Sequence, residues 1–170
     1  MLIKNSAIES VISYKEVPPA SGYTIYFNND DTHMPADSIE NINQYISENG
    51  TNVYMTSDAN FYNDLGTEYF MTSKPSKTYN FIKLAAPNAD TMELTRDGVL
   101  TWSAIANNLG YHVTILKDGV QIVDIDHPSV SFEIEAFELG HTYTVSVYAK
   151  GNGTTRIQSA TTEKEWQMKA

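Results

Sequence analysis

The densest run of metal-competent side chains in this chain is Asn28-Asn29-Asp30-Asp31-Thr32-His33. A hard cation such as calcium takes several oxygens converging from one loop. This run lacks the Asp-x-Asp-x-Asp-Gly spacing and the closing Glu of a calcium loop. Short polar side chains also end strands by bonding local backbone, so a turn after Tyr23-Thr24-Ile25-Tyr26-Phe27 is the expected role. The four histidines are His33, His112, His127 and His141. No two stand at the His-x-x-x-His spacing that puts a pair of imidazoles on one helix face. They are expected to be solvated or packing residues.

Nucleophile and phosphate motifs are missing as well. There is no Gly-x-Ser-x-Gly elbow and no Walker loop. Gly151-Asn152-Gly153-Thr154 has the composition of a phosphate cradle but lies between two expected strands, where a hairpin loop belongs. The acidic residues of the first half include many pairs, and nothing in their spacing selects a glycosidase pair. The expectation is a chain with no catalytic residues, no cofactor and no metal ligands.

Eleven Lys and Arg against 21 Asp and Glu give a net charge of -10. Such a surface repels phosphate backbones, and the one close basic cluster, Lys74, Lys77 and Lys83, reads as solvated loop charge. Neither nucleic acid nor membrane is an expected partner. The chain has no Cys, which removes disulfides and Cys-ligated zinc. Residues 1–6 do not read as a signal peptide, and no run approaches the ~20 apolar residues of a membrane span. The expected place of synthesis is a cytoplasm, with exit by lysis or a dedicated route.

These side chains must be positioned by two regions. Residues 1–77 read as a small α+β domain. Strands are expected over 8–14, 23–27, 51–56 and 67–72. A polar loop is expected at 57–60, and a short helical turn or irregular link at 61–65. A helix is expected over 38–49, with Asp37 as N-cap, Glu40 completing a capping box and Gly50 as the left-handed stop. Ile39, Ile42, Tyr45 and Ile46 form its apolar stripe. Residues 73–77 have linker composition, while 79–84 suit a strand pairing with either side.

Residues 78–162 carry short alternating strands between turn signals. Strands are expected at 82–87, 92–94, 99–103, 110–116, 120–123, 130–134, 144–149 and 156–162. Arg96-Asp97-Gly98 and Lys117-Asp118-Gly119 supply turns, and Asp-Gly between apolar runs is a strong hairpin signal. Leu100 and Trp102 share one strand face, with Val99 and Thr101 on the other. Trp102, Tyr111 with Val113, and the apolar-x-x-Gly-x-x-Tyr run from Phe137 to Tyr143 resemble a fibronectin type III domain. The chain departs from that family at Phe137 and Leu139, where Leu and Pro are common. The resemblance implies a mainly β protein with a seven-stranded sandwich, a buried Trp102, and Tyr143 as a tyrosine-corner residue. It carries over no catalytic residue. Residues 163–170 read as a charged tail, with Trp166 and Met168 as the features of a docking peptide.

Acidic, Cys-free chains with such sandwiches resemble accessory structural proteins of tailed bacteriophage virions, where they decorate heads, necks or tails. That resemblance implies a non-enzymatic attachment protein. Its N-terminal domain would anchor on virion structural proteins, with homo-oligomers as a further possibility. Its sandwich would project, with host surface glycans as a ligand class for the loops. The expected location is the virion, assembled in the host cytoplasm. The alternative is a binding or spacer module of a secreted bacterial carbohydrate-active protein, hence extracellular.

Overall fold

β-Branched and aromatic residues set the strands of the first half, as their preference for a pleated, half-buried surface requires. The computed structural model describes residues 2–5, 10–13, 20, 22–28, 32–35, 42–62 and 68–170. The chain divides into two units, Met1–Lys83 with Gly153–Thr155, and Leu84–Asn152 with Arg156–Ala170.

In the first unit β1 (Leu2–Asn5) and β2 (Ser10–Ser13) form an antiparallel pair. A separate antiparallel sheet is built on β5 (Thr51–Tyr62). β3 (Gly22–Phe27) pairs with it over Val53–Asp58, and β4 (Thr32–Pro35) lies outside β3. β6 (Glu68–Thr72) pairs with the far half of β5, and β7 (Tyr79–Lys83) with its start. Residues 79–83 therefore belong to the first unit. Ile25, Phe27, Val53, Met55 and Phe81 are buried, with Ile42 and Ile46.

Two expectations are corrected here. The polar loop at 57–60 and the first two residues of the link expected at 61–65 are instead a continuation of β5 to Tyr62, and residues 63–65 lie outside the described residues. The Asp58 carboxylate accepts from the Thr24 hydroxyl at 3.0 Å and the Thr72 hydroxyl at 2.9 Å. Neighbouring strands thus satisfy the charge that suggested a loop. The helix over 38–49 is not present in its described part: a single 3₁₀ turn, Asn43–Tyr45, is followed by irregular chain and a turn. Asp37 and residues 38–41 of that expectation lie outside the described residues. The Thr51 hydroxyl accepts from Ser47 N–H at 3.0 Å and donates to the Tyr45 carbonyl at 3.1 Å. A side chain thus takes the backbone groups that a helix would have paired, the usual competition between local hydroxyl bonds and helix. Ile42 and Ile46 are still buried, and Gly50 has the expected positive φ of 95°.

The second unit is a sandwich of two antiparallel sheets. β8 (Glu93–Leu94), β9 (Val99–Thr101) and β12 (Ser131–Glu133) form one, in the order β12-β9-β8. β10 (Tyr111–Lys117), β11 (Val120–His127), β13 (Thr142–Ala149) and β15 (Thr162–Gln167) form the other, in the order β11-β10-β13-β15. A short β14 (Arg156–Ile157) precedes β15. This is a seven-stranded fibronectin type III-like sandwich. Alternation is strict along β13: Tyr143, Val145, Val147 and Ala149 are buried and their neighbours are half-exposed. Leu94, Leu100, Trp102, Tyr111, Val113 and Ile115 complete the centre of the core. Asp118 and Gly119 sit at φ 50° and 81°, the left-handed pair that a two-residue hairpin demands.

Tyr143 makes the expected corner. Its hydroxyl donates to the Glu138 carbonyl at 3.1 Å and accepts from Glu138 N–H at 3.0 Å. Two further corrections fall in this unit. Residues 82–87 do not form a sandwich strand: residues 82 and 83 end β7, and the first sandwich strand is β8. The tail expected at 163–170 is largely the last strand, β15, paired to β13 from Thr142↔Gln167 to Val147↔Thr162.

Candidate functional site

One cluster of chemistry-bearing side chains in the second unit, around His112, lies on the outer face of the four-stranded sheet. Strand period puts His112 there, because Tyr111 and Val113 on either side of it are buried. Asp124 Oδ1 lies 2.7 Å from His112 Nε2, and Asp126 Oδ1 lies 2.9 Å from Nδ1. The Tyr148 ring stacks on the imidazole at 5.0 Å, and Lys150 pairs with Asp126. The carboxylates approach opposite ring nitrogens. They clamp the ring across β10, β11 and β13 and do not converge with it on one point. Burial, then the Asp126 charge, holds the Tyr148 phenol above its usual 10.0.

A second cluster sits at the end of the same sheet. Asp118 accepts from Thr142 N–H at 3.0 Å and meets His141 Nδ1 at 2.5 Å. Glu138 pairs with Lys117 and lies 3.4 Å from His141 Nε2. His141 borders an open hollow of about 350 Å³ lined by Gly140, Thr142, Gln167, Met168 and Lys169.

His127 makes a contact that sequence reasoning missed, although His127-Pro128-Ser129 was there to flag it. Its Nε2 lies 2.8 Å from both Ser129 Oγ and the Ser131 carbonyl. A carbonyl only accepts, so Nε2 carries the proton and donates. Ser129 also donates to that carbonyl, at 3.0 Å. The pair braces a turn and leaves no base lone pair aimed at Ser129.

In the first unit, Asn28 adopts φ 47° and its side-chain oxygen accepts from Asn52 N–H, as a turn residue does. Residues 29–31 of the oxygen-rich run lie outside the described residues. His33 is exposed on β4 and stacks at 5.5 Å on Tyr26, which stacks at 4.9 Å on Tyr54. Lys77 lies 5.5 Å over the Tyr79 ring, while Lys74 is exposed. Among the described residues no group of three or more His, Asp and Glu is placed to hold a metal ion. No helix among them is long and apolar enough to cross a membrane.

The glycine-rich loop after β13 is a tight backbone crossing. A Cβ on Gly151 would lie 2.0 Å from the Arg156 carbonyl oxygen and 2.8 Å from Gln158 N. Gly151→Ala is expected to lower stability by roughly 1–3 kcal/mol, because backbone must move to admit the methyl. Urea unfolding measures it. An unchanged midpoint would mean that the crossing opens freely.

The carboxylates define an acid response. Lys150 first, then His112, holds Asp126 below its usual 3.8. The Thr142 N–H, then His141, does the same for Asp118, and Lys117 holds Glu138 below 4.5. Each folded pKa is depressed, so these contributions are complete above the usual values and are lost as pH falls through the lowered ones. The thermal midpoint should therefore hold from neutrality to about pH 5 and fall below about pH 4. Screening keeps each exposed pair's share small. An Asp118→Asn, Asp126→Asn variant should fall less steeply over that range, and an identical curve would refute the assignment.

No family model matches the chain, and no curated protein matches it. Among solved structures it is similar to a crystal structure of chicken CNTN1 FN1-FN3 domains, at 11% identity and a TM-score of 0.32. The match covers 86% of this chain and 56% of that one, so this chain spans little more than half of its length. The sandwich is identified by its own sheet order and registers.

Proposed function

We propose that the chain is a non-enzymatic structural or attachment protein that acts by binding. One observation carries this reading. His112, Asp124 and Asp126 pair across strands on an open sheet face, where no nucleophile, base and enclosed cavity coincide. Sandwiches of this kind serve typically as binding or scaffold domains, with function residing in surface patches and loops.

The finer reading is a component of a tailed-bacteriophage virion. The first unit docks on head, neck or tail proteins and the sandwich projects. Its support is the chain's acidity and lack of Cys, together with a sandwich suited to spacing and display. Mass spectrometry of purified particles, with imaging to place the chain on them, tests it. Absence from every particle, joined to hydrolysis that one carboxylate substitution abolishes, would overturn it.

A second reading has its own observation. The stacked row Tyr54, Tyr26 and His33 presents aromatic surface on the first sheet, which suits a module of a secreted carbohydrate-active protein. Saccharide binding lost in Tyr26→Ala would favour it.

A further inference from the structure

The two edges of the four-stranded sheet are unlike. β15 carries Glu163, Lys164 and Glu165 in six residues, the charged composition that keeps an edge from pairing. β11, the other edge, is eight residues long and has no Lys, Arg or Pro. Val120, Ile122 and Ile125 on it are among the most exposed large apolar residues described, at 67%, 44% and 41%. β8 and β12, the edges of the facing sheet, have only two and three residues, too short to template a partner. β11 is thus the long edge of this unit that lacks Lys, Arg and Pro; its charges are the two acids Asp124 and Asp126. The main irregularity in its pairing, between Ile115 and Leu116 of β10, lies near its start and leaves Val123–His127 in regular register.

We infer that β11 is a docking edge for an extended segment of another protein, added antiparallel, with apolar and basic side chains in alternation. This rests on the non-enzymatic binding reading and names its surface. Backbone groups of the edge would supply affinity, and alternate side chains would supply selectivity. Charge selects the occupant. Asp124 and Asp126 flank Ile125 and are about half exposed. Asp126 spends both oxygens on His112 and Lys150, whereas no cation among the described residues meets Asp124 Oδ2. A Lys or Arg of the incoming strand would meet that oxygen. A second copy of β11 brings no such residue, and a chain of net charge -10 repels its own copies.

The probe is a capped hexapeptide of alternating Lys and Val, titrated into the full chain, with a Glu–Val hexapeptide as comparison. The readout is backbone amide exchange by NMR. With the Lys–Val peptide at ten times its Kd, alternate amides of β11 should exchange about tenfold more slowly, those of β15 being unchanged. The Glu–Val peptide should give much less protection. Ile125→Lys, a charge placed on an already exposed edge position, should abolish protection while leaving the β10 and β13 amides as slow as before. No protection of β11, equal protection by both peptides, or equal protection of β15 would overturn the inference. A dimer of the chain alone, protected along β11, would overturn the choice of occupant. None of these results bears on turnover or on presence in a particle, so the two readings fail separately.

Discussion

Trp102→Ala is expected to destabilise the sandwich by about 3–5 kcal/mol, the range for large aromatic truncations in a core. Trp102 is 4% exposed, and its ring meets Tyr111 edge-on at 5.2 Å. Its indole N–H is buried and finds no acceptor. The substitution therefore forfeits no side-chain hydrogen bond, and its cost is the cavity and the lost contacts. Relaxation into that space is limited. The Tyr111 hydroxyl is tied by the Ile105 N–H at 2.9 Å, so its ring cannot swing across freely. Urea unfolding followed by far-UV circular dichroism reads the difference. A loss below about 1 kcal/mol would mean that the two sheets close over the vacancy, contrary to a tightly packed centre.

Ending the chain after residue 162 is expected to abolish cooperative unfolding of the sandwich. The cut removes all of β15 except Thr162. β13 then loses the register partners of Thr142 to Ser146 and becomes an edge. Trp166 and Met168, which pack against the core, are lost with it. So is Lys164, whose amine donates to the Ala89 and Met92 carbonyls at 2.8 Å each. Ala89 opens the 3₁₀ turn Ala89–Thr91 and Met92 caps it, so the entry to β8 loosens as well. Thermal melts and amide dispersion in NMR compare this truncation with the full chain. A cooperative melt within a few degrees of the parent would show that seven strands are not required.

The sandwich was legible from sequence because its determinants are local. Alternation along 142–149, the Asp118-Gly119 turn and the Phe137-to-Tyr143 corner each act within a few residues and agree with one another. The same locality misled elsewhere. Thr162-Glu163-Lys164-Glu165-Trp166-Gln167 does alternate, with Thr162, Lys164 and Trp166 half-buried and their neighbours exposed. Two glutamates and a lysine concealed that pattern. A lysine can lie along an apolar face when its amine reaches carbonyls, and those of Ala89 and Met92 are more than 70 residues away in sequence.

The first half shows the same division. Ile42, Tyr45 and Ile46 were marked for burial by their spacing, and Ile42 and Ile46 are buried. Their backbone was not determined by that spacing, because the Thr51 hydroxyl competes for the groups that a helix would pair. Likewise Asp58 reads as a loop residue alone and becomes a strand residue only between Thr24 and Thr72. The histidine clusters were beyond sequence reach for a related reason. His112 meets Asp124 and Asp126 only through the β10–β11 register, and His141 meets Asp118 across 23 positions. Residue types and their local spacing settle which side chains are apolar, which turns are tight, and where strands have a two-residue period. Which polar groups find partners is set by the folded chain, because a hydrogen bond depends on distance in space and not on separation along the chain.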